Sequence, residues 1–136
     1  MAAVGIMKQV SVFVENRPGR LREMLQALYD HNINIRALSI ADTSDFGIVR
    51  MILSDTDAGL RALKEAGLVA STTDVLRVEL PDKPGGLLRT AIEPLAEAGV
   101  NVEYVYAFVD RPLENAAAVI KTSDPERARR VLEATV

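Results

Sequence analysis

Two short stretches of the chain combine residue types suited to holding a small charged molecule. They are Asn16-Arg17-Pro18-Gly19 and Asp82-Lys83-Pro84-Gly85, each followed by a run with helical spacing. Proline fixes one backbone torsion, and glycine admits torsions and close approaches denied to other residues. A corner of this kind just before a helix leaves the N–H groups of the first turn pointing outward. With the positive end of the helix dipole they attract an anion such as a carboxylate. Asn16 or Asp82 supplies acceptor oxygens for an ammonium. The chemistry that fits is recognition of a zwitterion, not bond making or breaking.

The two corners belong to an internal repeat, which also fixes the elements that carry them. Glu15-Asn16-Arg17-Pro18-Gly19-Arg20-Leu21 returns as Pro81-Asp82-Lys83-Pro84-Gly85-Gly86-Leu87, 66 residues on. Val10, Val12 and Val14 fall on Leu76, Val78 and Leu80 at the same offset. His31-Asn32-Ile33-Asn34-Ile35 then matches Ala98-Gly99-Val100-Asn101-Val102 at an offset of 67. The extra residue is expected in the helix around Pro94, where proline bends or interrupts a turn. Ser54-Asp55 matches Ser123-Asp124.

Each repeat reads as strand, helix, strand, strand, helix. Val10, Val12 and Val14 alternate with Gln9, Ser11 and Phe13, the period of a strand. Leu21, Met24, Leu25 and Leu28 line one face of an amphipathic helix. Ile33–Ala41 and Gly47–Leu53 form a hairpin around Asp42–Asp45, and Ser54 or Asp55 caps a second helix ending near Gly67. In the second repeat Leu87, Leu88, Ala91, Ile92 and Leu95 line the first helix. Val100–Val109 and Ala116–Lys121 are the hairpin strands, with Val102, Tyr104, Tyr106 and Phe108 expected on one face. Asp124-Pro125 starts the last helix. The fold class is therefore α+β: two ferredoxin-like βαββαβ repeats, 7–74 and 75–136, with antiparallel sheets and helices on one face. Leu68–Asp74 closes the first repeat and runs directly into Val75–Leu80. The second repeat has no closing strand of its own at its C-terminal end, so its sheet edge is open, covered or completed by another chain. Apolar residues on both faces of several strands predict that the second face is covered, by the other repeat or by a homodimer partner.

The [Asn/Asp]-x-Pro-Gly-x-Leu pattern after a strand, with Asn32-Ile33-Asn34-Ile35 or Gly99-Val100-Asn101-Val102 after the helix, resembles the ACT domain in two tandem copies, from about Met7 to Val136. Glu15-Asn16-Arg17-Pro18-Gly19 with Asn34 resembles in particular the ACT domain of phosphoglycerate dehydrogenase, where matching asparagines bind effector serine across an interface between domains. Val14 stands where that version has a histidine, so serine itself is not implied. The resemblance implies a non-catalytic regulatory protein that binds an amino acid or similar small metabolite. Its site would be shared between a Pro-Gly loop and the edge of a neighbouring domain. Carried over position by position, the ligand-binding candidates are Asn16, Arg17, Pro18, Gly19, Arg20, Leu21 and Asn34. In the second copy they are Asp82, Lys83, Pro84, Gly85, Gly86, Leu87 and Asn101. The alternative is a regulatory subunit that assembles with an enzyme or transcription regulator and needs no ligand. A small ferredoxin-like hydrolase such as an acylphosphatase is a third reading, and would need Arg17 in a phosphate cradle.

Composition narrows the rest. The chain has 136 residues, 16 Lys plus Arg against 19 Asp plus Glu, and a formal charge of −3. That balance disfavours nucleic acid, which is bound through clustered positive charge. There is no cysteine and a single histidine, which leaves no thiolate or multi-histidine metal site and no cofactor motif. No apolar run reaches a membrane span and Met1–Lys8 is too short for a signal peptide, so a cytoplasmic protein is expected. His31 sits at a helix end, Arg127–Arg130 on a solvated helix face, and Asp42, Asp45, Asp55 and Asp57 in turns and caps, since no calcium-loop spacing is present. Tyr104, Tyr106 and Phe108 lack the basic surroundings of a base-stacking platform, so packing is expected of them.

Overall fold

The computed structural model describes residues 4–42 and 45–135, without the side chains of Asp42 and Asp110. The centre of the turn expected at Asp42–Asp45 lies outside the described residues. The chain runs β1 (Val4–Glu15), α1 (Arg20–Asp30), β2 (Ile35–Asp42), β3 (Phe46–Leu53), α2 (Thr56–Glu65), β4 (Val69–Pro81), a π-helical turn (Leu88–Ile92), α3 (Glu93–Glu97), β5 (Val102–Arg111), β6 (Asn115–Thr122) and α4 (Pro125–Thr135). It divides into two compact units, one of Lys8–Thr73 and one of Met1–Met7 with Asp74–Val136.

In the first unit the strand order is β2-β3-β1-β4. Antiparallel β1 and β3 pair Val10 with Met51 and Val12 with Val49. Residues directly opposite share a face, so these four side chains point the same way. They form one core with Val14, Met24, Leu28, Leu53 and Leu63. Met24 and Leu28 are the buried stripe of α1 and Leu63 that of α2, so both helices cover the same face of the sheet. Each such side chain contributes about 1.5–3 kcal/mol by leaving water.

The second unit repeats this plan in the order β1-β4-β6-β5. Antiparallel β4 and β6 pair Leu76 with Ile120 and Val78 with Ala118. Their core includes Ala91 and Leu95 from the first helical segment and Ala128 and Leu132 from α4. Val4 and Ile6 pack against it. The strand that the second repeat lacks at its end thus comes from the start of β1, which the 7–74 and 75–136 reading assigns to neither repeat. β1 and β4 each give one half to one unit and one half to the other.

Irregularities in the strands and in one helix refine the expected pattern. The register of β5 against β6 shifts between Val102 and Tyr104. This bulge at Glu103 turns Val102 onto the helix-covered core, away from the face of Tyr104, Tyr106 and Phe108. The same shift occurs between Ile35 and Ala37 of β2. On the helix-free face, Tyr106 and Phe108 stand opposite Val119 and Ala117, both fully buried. The extra residue of the second repeat is taken up by the π-helical turn Leu88–Ile92, directly ahead of Pro94. A π turn bonds i to i+5 and absorbs one added residue without turning the flanking buried positions out of the core. Ala91 within it and Leu95 in α3 accordingly both stay fully buried.

Candidate functional site

Both Pro-Gly corners sit between a strand end and a helix start. In the first, β1 ends at Glu15, Gly19 takes the left-handed φ of 88° and α1 begins at Arg20. In the second, β4 ends at Pro81, Gly85 takes φ of 82° and the helical run follows. A side chain is strained at such torsions, which is what the glycine supplies. The backbone closes alike in both: Arg20 N donates to Arg17 O at 3.3 Å and Gly86 N to Lys83 O at 2.9 Å. One residue group on, Glu23 N donates to Gly19 O at 3.0 Å and Arg89 N to Gly85 O at 2.8 Å.

The helix starts differ in one respect that bears on anion binding. Asp55 caps α2 by accepting from Ala58 N at 3.1 Å, and Asp124 accepts from Arg127 N at 3.1 Å at the start of α4. Neither helix that follows a Pro-Gly corner has a side-chain cap among the described residues. First-turn N–H groups need a partner from outside the helix. At α1 those of Leu21 and Arg22 face a corner whose residues Asn16, Arg17, Pro18 and Gly19 are all exposed.

Charge distinguishes the two corners. Arg17 Nη2 lies 2.7 Å from Glu15 Oε2, and Arg20 lies 3.7 Å from Glu15 and 2.8 Å from Glu23. The hydrogen bond from Arg20 to Glu23, then the charges of Glu23 and Glu15, hold the Arg20 guanidinium above its ordinary pKa, so it stays charged. Glu15 and Glu23, outside the expected ligand set, are the groups that orient these arginines; their signal in the sequence is a glutamate on each side of the arginines at 17, 20 and 22. In the second corner Gly86 replaces Arg20, and a Cβ there would stand 2.1 Å from Pro81 O. The corner is folded so tightly onto the end of β4 that only glycine fits. Asp82 is half-buried, and Leu87 packs against the second core.

Asn34 and Asn101 lie at the other ends of their units. α1, with 11 residues, separates Asn34 from the first corner by about 16 Å at 1.5 Å per residue. Ser54 holds Asn34 in place: Asn34 N donates to Ser54 Oγ and Ser54 N to Asn34 O, both at 2.9 Å. Asn34 and Asn101 are exposed at the starts of the strands β2 and β5. Within one unit, then, Asn16 and Asn34 do not meet.

The residues read as structural hold such places. His31 Nδ1 is 2.9 Å from Ala27 O, which only accepts, so this nitrogen carries the proton; Nε2 is 3.7 Å from Glu65. Arg129 pairs with Glu126 at 2.8 Å on α4. No group of three or more His, Cys, Asp or Glu able to hold a metal occurs among the described residues. No helix among them is long and apolar enough to cross a membrane.

Comparison with known proteins places the chain in a family. A family model described as an ACT domain pair matches residues 5–135. Among solved structures, protein BT0572 from Bacteroides thetaiotaomicron superposes with a TM-score of 0.89 at 38% identity, over 96% of this chain and 89% of that one. The regulatory subunits of aspartate kinase from Thermus thermophilus and Thermus flavus share the fold with TM-scores of 0.65 at 15% and 19% identity. They align over 97% and 98% of this chain and 95% of each of theirs. No match is found among curated proteins.

Proposed function

The chain belongs to the family of ACT domain pairs, and from that premise we propose that it is a non-catalytic regulatory protein whose effector is an amino acid or a closely related small zwitterion. The observation that carries this reading is the uncapped start of α1 beside the exposed, arginine-flanked first corner. The N–H groups of Leu21 and Arg22 receive the ligand carboxylate, with Arg17 and Arg20 adding positive charge. Asn16 supplies an acceptor for the ammonium. Asn34 stands too far along its own unit to reach the same ligand, so it contributes from a neighbouring domain, and the bound molecule bridges two domains. Its regulatory effect equals its difference in affinity between the bridged and unbridged arrangements.

The neighbouring domain belongs to a second copy of the chain. The exposed apolar residues support this: Leu38 and Ile40 of the edge strand β2 are 41% and 47% exposed, and Leu21 and Leu25 of α1 38% and 36%. Val105 and Val109 of β5 are open in the same way. Apolar side chains along an unpaired strand edge favour association. A cytoplasmic homodimer is the assembly this reading takes.

A thermal-shift screen of the twenty amino acids tests the proposal. A ligand at 100 times its dissociation constant stabilises by about 2.7 kcal/mol. One or a few amino acids are expected to raise Tm, and Asn16→Ala and Asn34→Ala to abolish the rise relative to each variant's own unliganded Tm. A second reading, a subunit that assembles with an amino-acid-pathway enzyme and needs no ligand, is supported by the fold shared with separate regulatory subunits of aspartate kinase. It is favoured by an absence of any shift together with a stable enzyme complex.

A further inference from the structure

β2 is an edge strand of the first unit, with one row of backbone groups left without a ladder partner. Leu38 and Ile40 stand opposite Met51 and Val49 of the core, so they point to the helix-covered face, yet both remain exposed. α1 leads from β1 across β3 to β2, which makes it the helix on this side of the unit. Leu21, Leu25 and Tyr29, four residues apart along α1, are exposed and line one open groove with Arg22 and Gln26.

Both elements are self-complementary when reversed. About Ser39, Leu38 matches Ile40 and Ala37 matches Ala41. About Leu25, Leu21 matches Tyr29, and about the next residue, Gln26, Arg22 matches Asp30 with opposite charge. A residue on a two-fold axis meets its own copy, so a charge there would repel itself. The centres here are serine, leucine and glutamine. Among the described residues Arg22 has no ion-pair partner, and the Asp30 carboxylate accepts only from Gln26, at 2.8 Å.

We infer that two copies of the chain pair β2 with β2, antiparallel and centred on Ser39, with α1 packed on α1 so that Leu25 meets Leu25 and Arg22 reaches the partner's Asp30. This pairing rests on the homodimer reading above and names its contact surface. A two-fold axis normal to the sheet joins the two edges and keeps both helix layers on one side. It sets Leu38 beside the partner's Ile40 and satisfies the open backbone row. It also carries Asn34, just ahead of β2, to the far end of the partner's β2. At that end of the unit Asn16 N donates to Asp45 O at 2.9 Å. Asn16 and Asn34, held apart within one unit, approach one another across the pairing.

The chain has no cysteine, so single introduced thiols report the register. Ser39→Cys is expected to give a covalent dimer on mild oxidation. Ala37→Cys or Ala41→Cys alone should give none, because each stands about 14 Å from its own copy at 3.4 Å per residue. Co-expressed, those two variants should link to one another. In sedimentation equilibrium Arg22→Asp and Asp30→Arg are each expected to raise the dimer dissociation constant about fivefold, and the double variant to restore it. A wild-type dimer that Ser39→Cys does not link, or that Ala37→Cys links as readily, overturns the β2 pairing and leaves the homodimer reading standing. Charge reversals that the double variant does not rescue overturn the α1 contact. A wild-type chain that sediments as a monomer at every concentration overturns the homodimer reading and the pairing with it.

Discussion

At the scale of single residues, the two Pro-Gly corners differ in how closely the backbone packs around them, and substitution separates them. Gly86→Ala places a Cβ 2.1 Å from Pro81 O. The backbone must move, and a loss of about 1–3 kcal/mol is expected, read as a lower midpoint in urea. Gly19, with nothing within 4 Å of a built Cβ, is constrained only by its torsion, so Gly19→Asn should cost less than Gly86→Ala in the same assay. The Pro-Gly corners and their glycines were legible in the sequence because a turn announces itself within four residues. The hydrogen bond from Leu113 N to Asp82 Oδ2 was not, since it joins groups 31 positions apart and neither residue type signals it. Asn16 and Asn34 were legible as a pair only through resemblance, although the spacing of Leu21, Met24, Leu25 and Leu28 already puts a helix between them.

Among the elements, strands and helices followed their hydrophobic periods closely. β1 and β3 meet where Val10, Val12 and Val14 alternate, and α1 buries Met24 and Leu28 of its expected apolar face but leaves Leu21 and Leu25 exposed. Leu28→Ala should cost about 2–5 kcal/mol, measured by denaturant unfolding, because Leu28 is 1% exposed and packed in the first core. Asp55→Ala removes the cap on Ala58 N and should cost about 1 kcal/mol in the same experiment. Where one added residue breaks a period, sequence told that something changes but not how. The offset between repeats pointed to the stretch around Pro94, and the π-helical turn just before it is the answer. At the bulge beside Glu103 the alternation Val102, Tyr104, Tyr106, Phe108 looks unbroken, and only the register with β6 reveals that Val102 faces the other way.

For the whole molecule, the least legible feature is the source of the second unit's fourth strand. A segment as short as Val4–Met7 carries too few residues to show its alternation, and its partner strand lies some 70 positions on. Val4 and Ile6 nonetheless pack on the second core. Ile6→Asp should destabilise that core by about 1–3 kcal/mol. Amide exchange should show protection falling at Ile120 and Leu132 more than at Met24 and Leu28. The open edges of β2 and β5 bear on assembly: light scattering is expected to give a dimer for the wild-type chain and a shift toward monomer in Leu38→Glu. The most direct measurement of the central claim is an NMR titration of the labelled chain with each amino acid in turn, following the amides of Leu21 and Arg22. At least one amino acid is expected to move both resonances saturably, with the movement lost in Asn16→Ala. Amides that stay fixed for every amino acid, or a saturable response confined to residues far from the first corner, would contradict it.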